Sequence, residues 1–178
     1  LVKVADGLVD PIDVSAPNDG SGRLFVCERH GLVRVIKDGK LLDKPALDLR
    51  DKTLSSFLEE GLYAVTFHPD FKTNRKVYVS YADLWFNGST MLMEYTMSAK
   101  NPDKIDDTTG RVIMQIDFPY CNHHGGKMKF GPDGWLYGRA GGSSPSAVGV
   151  PGTADSKRIP LHGGIWRFKS DVLNQDQL

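Results

Sequence analysis

Two adjacent histidines, His123 and His124, followed by Gly125 and Gly126, are the residues of this chain best suited to chemistry. An imidazole takes and returns a proton near neutral pH. Glycines leave room for a flat ligand to approach the backbone. Asn122 stands just before the pair, and the carboxylate of Glu59 lies just ahead of Glu60-Gly61-Leu62 far upstream. Such a set can hold a hydroxylated ligand by hydrogen bonds and accept its proton. Each residue also has a plainer reading. His123 could be a loop histidine bonded to backbone, and Glu59 a solvated charge beside Glu60. A metal centre built on the two histidines is not expected, because adjacent residues on a strand face opposite ways and two ligands make a weak site.

The elements that must position these groups read as strands. Lys127 to Phe130 alternates polar and apolar residues, Gly131-Pro132-Asp133-Gly134 is a strong turn signal, and Trp135 to Tyr137 is aromatic and β-prone. Upstream, Arg23 to Glu28 and Leu32 to Lys37 form a predicted hairpin around Arg29-His30-Gly31, and Asp38-Gly39 centres the next turn. Leu41 to Leu49 is a proline-interrupted edge or connection. Leu62 to Phe67, Lys76 to Tyr81, Met91 to Met97, Arg111 to Phe118 and Gly164 to Phe168 are further predicted strands. Leu1 to Ala5 reads as a first strand and Thr53 to Glu60 as a helical turn. Residues 69–74, 101–110 and 138–159 read as loops. His68 reads as a turn residue, and Trp135 and Trp166 as core between sheets. Asp-containing turns precede Leu24-Phe25-Val26, Val77-Tyr78-Val79 and Leu136-Tyr137 at an irregular period of roughly 50 to 60 residues, as in propeller blades with loop insertions. Many short strands and little helix predict an all-β class.

Composition narrows the function. Lysines plus arginines equal aspartates plus glutamates, so the formal net charge is zero. That balance argues against a general affinity for nucleic acid. No apolar run approaches the roughly 20 residues of a membrane span, and the opening residues do not read as a signal peptide. Cys27 and Cys121 fit no zinc or redox spacing. They read either as buried thiols or, in an exported protein, as a disulfide tying the first hairpin to the histidine loop. Asn87-Gly88-Ser89 matches a glycosylation sequon, a match common by chance, and reads as a turn.

The motifs also carry a resemblance. His123-His124-Gly125-Gly126, two residues, Phe130-Gly131-Pro132-Asp133-Gly134, then Leu136-Tyr137 is similar to the soluble glucose and sorbosone dehydrogenases. So are Asp19 to Val26 with Gly31 to Ile36, and Glu60-Gly61-Leu62 with Phe67-His68-Pro69-Asp70-Phe71 and Val77 to Tyr81. The three motifs occur in that family's order. The resemblance implies a six-bladed β-propeller that uses pyrroloquinoline quinone (PQQ) and calcium, exported to a periplasm or secreted. At roughly 40 to 50 residues per blade, residues 1–178 correspond to an N-terminal part of about two to three blades, with a further chain or subunit completing the propeller. By the same resemblance His123 is the general base, taking the proton of an aldose, sorbosone or related sugar or aldehyde while hydride passes to the quinone. Electrons then go to an external acceptor such as a cytochrome. Glu59, Asn122 and His124 fall where the family contacts substrate. The cofactor contacts and calcium ligands of the family lie on later blades, so no cofactor or metal residue is assigned here. Two departures stand out: His124 replaces a frequent amide side chain, and Arg139-Ala140-Gly141-Gly142 stands where a Gly-Asp-Gly sequence is usual. They sustain an alternative, a non-catalytic propeller module for binding or scaffolding.

Overall fold

A computed structural model describes residues 1–86, 88–117, 123–141 and 163–169. They form three successive antiparallel sheets. The first holds β1 (Pro11–Ser15), β2 (Leu24–Glu28), β3 (Leu32–Lys37) and β4 (Lys40–Leu41) in that order, with β5 (Leu47–Asp48) also on β3. The second runs β6 (Leu62–Phe67), β7 (Lys76–Ala82), β8 (Thr90–Met97), β9 (Ile105–Ile116). The third is β10 (Gly125–Phe130), β11 (Leu136–Ala140), β12 (Ile165–Phe168). Within each sheet strand order follows chain order, apart from β5, which returns to β3; this is the pattern of propeller blades.

The second sheet is covered on both faces, and its sequence shows why. Successive side chains of a strand point to opposite faces. Val77, Val79 and Tyr81 of β7, with Met91, Tyr95 and Met97 of β8, join Phe25, Cys27, Val33 and Val35 of the first sheet in one core. Tyr78, Leu92, Ala64 and Ile113 on the other face join Met128 and Leu136 of the third sheet. A bulge between Leu62 and Ala64 re-sets the parity, so that Leu62 and Val65 face the first sheet although three residues apart. Phe67 stands edge-on to both Phe25 and Phe71, with ring centroids 4.8 and 4.9 Å apart. Such pairs contribute roughly 0.5–1.5 kcal/mol beyond burial. Where the second core meets solvent, Glu94 accepts hydrogen bonds from the Tyr78 hydroxyl at 2.6 Å and from Arg111 at 2.9 Å, and pairs with Lys76 at 3.4 Å.

Most predicted strands are present. The hairpins at residues 24–37 and 125–140 form, and Asp38 and Gly39 both take positive φ as the tight turn between β3 and β4 requires. Several expectations are corrected. Leu1 to Ala5 is not a strand; Leu1, Val2 and Val4 are exposed, and the first strand is Pro11–Ser15. Residues 53–60 form no helix, because their backbone is engaged elsewhere: Thr53 bridges Asp83 and the Leu54 amide donates to Ala82. The single described helical turn, α1 (Phe71–Asn74), lies in the expected loop at 69–74 and buries Phe71. Residues 105–110 belong to β9, long and bulged where a loop was expected. Trp135 is not core: it lies outside the strands, with Arg167 and Lys169 over its ring. Trp166 does pack against the third sheet's core, and His68 is a turn residue whose Nδ1 accepts the Asp70 amide. The expected strand end at Phe118, the loop at 142–159, Asn87 of the sequon, and Cys121 lie outside the described residues.

Candidate functional site

Strands β1, β6 and β10 pack side by side as the leading strands of the three sheets, and their entrances meet. Arg29, in the β2–β3 turn, joins the first two. Its amide donates to the Asp10 carbonyl, and its side chain bonds the Asp10 carboxylate at 2.6 Å. It also donates to the carbonyls of Ser55, Phe57 and Glu60, while its own carbonyl accepts the Leu62 amide. Gly61 lies so close to Arg29, at φ 147°, that a Cβ there would meet the Arg29 carbonyl. Glu59 joins the second entrance to the third: its carboxylate accepts the His123 amide N–H. Further along, Lys127 of β10 pairs with Asp13 of β1, whose other oxygen accepts the Val65 amide of β6 at 3.2 Å.

The histidine loop owes its shape to left-handed backbone. His123 takes φ 65°, Gly125 79° and Gly126 97°. Histidine is one of the few non-glycine types enriched there. The two histidines then part. His123 is half-buried at the mouth, whereas His124 is fully buried and stacks on Tyr63 at 6.1 Å. The two glycines admit protein, not a ligand. A Cβ on Gly126 would lie 2.4 Å from the Tyr63 ring, and one on Gly125 would strike the backbone of Gly141. Gly141 in turn donates its amide to the His124 carbonyl and sits hard against that of His123.

The lining of this mouth is acidic. Glu59 is exposed at its rim, and Glu60 is buried beneath it, accepting the Phe57 amide at 3.0 Å. Burial pushes the Tyr63 hydroxyl well above the ordinary tyrosine range, and the charges of Glu60 and Glu59 add to the effect. Two adjoining loops complete it, tied by bonds from the Leu54 amide to Ala82 and from the Leu84 amide to Lys52. The Asp83 carboxylate accepts the amides of Trp85 and Phe86 and shapes the second loop. These loops hold out Phe57, Leu58, Leu84, Trp85 and Phe86, between 43% and 89% exposed.

Comparison with known proteins places this arrangement. A family model described as glucose/sorbosone dehydrogenase matches residues 8–172. The chain belongs to the glucose/sorbosone dehydrogenase family. The PQQ-bound aldose sugar dehydrogenase of Streptomyces coelicolor superposes with a TM-score of 0.75 over 96% of this chain and 48% of its own length, at 22% identity. The fold is therefore a β-propeller, of which the three sheets are blades. Among curated proteins, Hedgehog-interacting protein of Mus musculus is 38% identical over 146 residues, and that of Homo sapiens 37% over 148. The chain spans about a fifth of the length of each (21%).

Of the residues that the family motif marks, the structure brings Glu59 and His123 into contact and places His124 behind them in the wall; Asn122 lies outside the described residues. Cys27 is a buried free thiol, its pKa driven up by burial and by Asp13. Arg139 is exposed on β11. Arg29, Glu60 and Tyr63 were not legible as site residues. Arg29 reads locally as one residue of a tight turn, and its side-chain partners in this mouth lie 19 to 31 positions away. Nor do the described residues fit the family's cofactor. PQQ carries three carboxylates, and the residues around His123 offer carboxylates of their own. Arg29, the arginine of this mouth, is committed to Asp10 and three carbonyls. Among the described residues no group of three His, Cys, Asp or Glu side chains could hold a metal such as calcium.

Proposed function

We propose that residues 1–178 are the N-terminal part of a larger propeller that acts outside the cytoplasm by binding a partner protein at this mouth. The partner suggested by the mouse and human relatives is a Hedgehog protein. The observation that carries the reading is the set of five large apolar side chains held out on two tied loops. Exposed apolar clusters of this kind mark interaction sites, and tryptophan is prominent among residues that dominate binding energy. Hydrogen bonds inside the loops pre-organise them, which lowers the cost of ordering on association. Biolayer interferometry of the full-length protein against an immobilised Hedgehog protein tests it. Trp85→Ala and Phe57→Ala should each weaken binding roughly tenfold or more. Binding left unchanged by both would remove the mouth from the interface. No binding by the wild type would remove this partner.

A second reading, a PQQ-dependent sugar or aldehyde dehydrogenase, draws on His123. It is half-buried at the mouth, with its backbone fixed from two sides. In that reading His123 takes the proton of a substrate hydroxyl, Glu59 holds the His123 backbone, Asn122 flanks the substrate, and His124 supports the wall. The quinone, calcium and electron acceptor are held outside the described residues. Dye reduction by the full-length protein with added PQQ, calcium and aldoses, lost in His123→Ala, is the expected result; no PQQ-dependent turnover in the wild type would end it.

A further inference from the structure

We infer that Glu59 is a positioning residue, one that aims the His123 imidazole by holding its backbone rather than by touching a ligand. The inference goes beyond partner binding and bears on the catalytic reading.

Four observations meet here. The Glu59 carboxylate, in the loop leading into β6, accepts the amide N–H of His123, 64 residues away in the loop leading into β10. His123 adopts a left-handed φ of 65°, a conformation that a non-glycine residue keeps only where its surroundings impose it. The base from which Glu59 reaches is itself fixed: Arg29 grips the carbonyls of Ser55, Phe57 and Glu60, and Glu60 holds the Phe57 amide. On the far side, Gly141 packs against the His123 carbonyl and leaves no room even for a Cβ. The peptide group before His123 is therefore oriented by a charge-assisted bond from the loop leading into β6, and the one after it by contact with Gly141. With both fixed, so is the Cα–Cβ direction, and with it the line along which the imidazole leaves the backbone. A carboxylate, unlike a water molecule, holds this amide from a tethered point.

The test uses the full-length protein with Glu59→Gln and Glu59→Ala. Glutamine keeps an acceptor and loses the charge; alanine loses both. The first readout is the His123 amide proton shift across a pH series. In the wild type it should sit downfield and follow the ionisation of a carboxyl group. In Glu59→Gln it should stay downfield and lose that pH response. In Glu59→Ala it should move upfield. The second readout is the rate at which diethyl pyrocarbonate modifies His123, followed by peptide mass spectrometry. That rate should change several-fold in Glu59→Ala and return towards the wild-type value in Glu59→Gln. A wild-type amide that ignores carboxyl ionisation overturns the inference. So does a folded Glu59→Ala protein with unaltered shift and modification rate. If the alanine variant does not fold, the pH response of the glutamine variant decides.

Where the wild type shows PQQ-dependent turnover, Glu59→Ala should lower kcat roughly tenfold to a hundredfold with KM for sugar nearly unchanged. A rise in KM alone would make Glu59 a ligand contact and refute the inference. Absence of turnover in the wild type refutes the catalytic reading only, and the amide measurement still decides this one.

Discussion

Replacing Gly126 with alanine tests the seam on which the mouth rests. Gly126 is the second residue of β10 at φ 97°, and an added Cβ would lie 2.4, 2.7 and 2.9 Å from Cδ2, Cγ and Cβ of Tyr63. Tyr63 is 7% exposed and cannot swing into solvent without leaving its place between the sheets. Two costs follow. Holding a residue with a Cβ in left-handed backbone costs roughly 1–2 kcal/mol. Forcing an extra methyl into a packed interior costs roughly 1–3 kcal/mol. Together they predict a loss of about 2–5 kcal/mol and a correspondingly lower Tm. Gly134→Ala is the control. Its φ is 77°, and nothing lies within 4 Å of the added Cβ. It carries the backbone cost alone, about 1–2 kcal/mol, and so a smaller fall in Tm. Differential scanning calorimetry of both variants in one buffer separates the two terms. Equal shifts in Tm would refute the reasoning, because they would mean that Tyr63 does not occupy the space against Gly126.

Three further expectations can be checked together. Glu94 is held below the ordinary carboxylate range: burial acts to raise it, but the bonds from Tyr78 and Arg111 and the charges of Lys76 and Arg111 outweigh burial. A lowered folded-state pKa gives stability that is present above the unfolded pKa and lost as pH falls through the folded one. The Tm gap between wild type and Glu94→Gln should therefore be widest near neutrality and shrink below pH ~4, and a pH-independent gap would exclude this network as its source. Arg29→Ala removes one ion pair and three bonds to carbonyls; it should cost about 2–3 kcal/mol and raise amide hydrogen exchange in residues 54–60, and unaltered exchange there would show that the loop stands without it. Cys27 is fully buried and its thiol pKa is pushed up by burial; it should resist Ellman's reagent in the native protein and react on denaturation, whereas fast native reaction would contradict its place in the core.

Much of the fold could be read from residue order, because the signals were local. Asp38-Gly39 and Gly131-Pro132-Asp133-Gly134 marked hairpin turns whose chemistry admits few other conformations. The apolar runs Leu62–Phe67 and Lys76–Tyr81 marked strands buried on both faces, where no solvent side remains to enforce alternation. Errors arose where distant partners overrode local preference. Thr53 to Glu60 has helical composition, yet its backbone is bonded to the β7 end and to Arg29. Leu1 to Ala5 has strand composition and no neighbour to pair with among the described strands.

The sequence by itself determined the all-β class, the repeated hairpins, the family motifs and the two histidines before Gly125. Those depend on φ preferences, side-chain alternation and residue identity, all carried by neighbours in the chain. Only the tertiary structure decided which histidine faces the mouth and which is buried on Tyr63, and that Glu59 reaches the backbone of His123. It also decided that Phe57 and Trp85 stand on adjoining loops. Those relations link residues tens of positions apart, and they exist only because packing of the sheets brings the entrances of β1, β6 and β10 to one place.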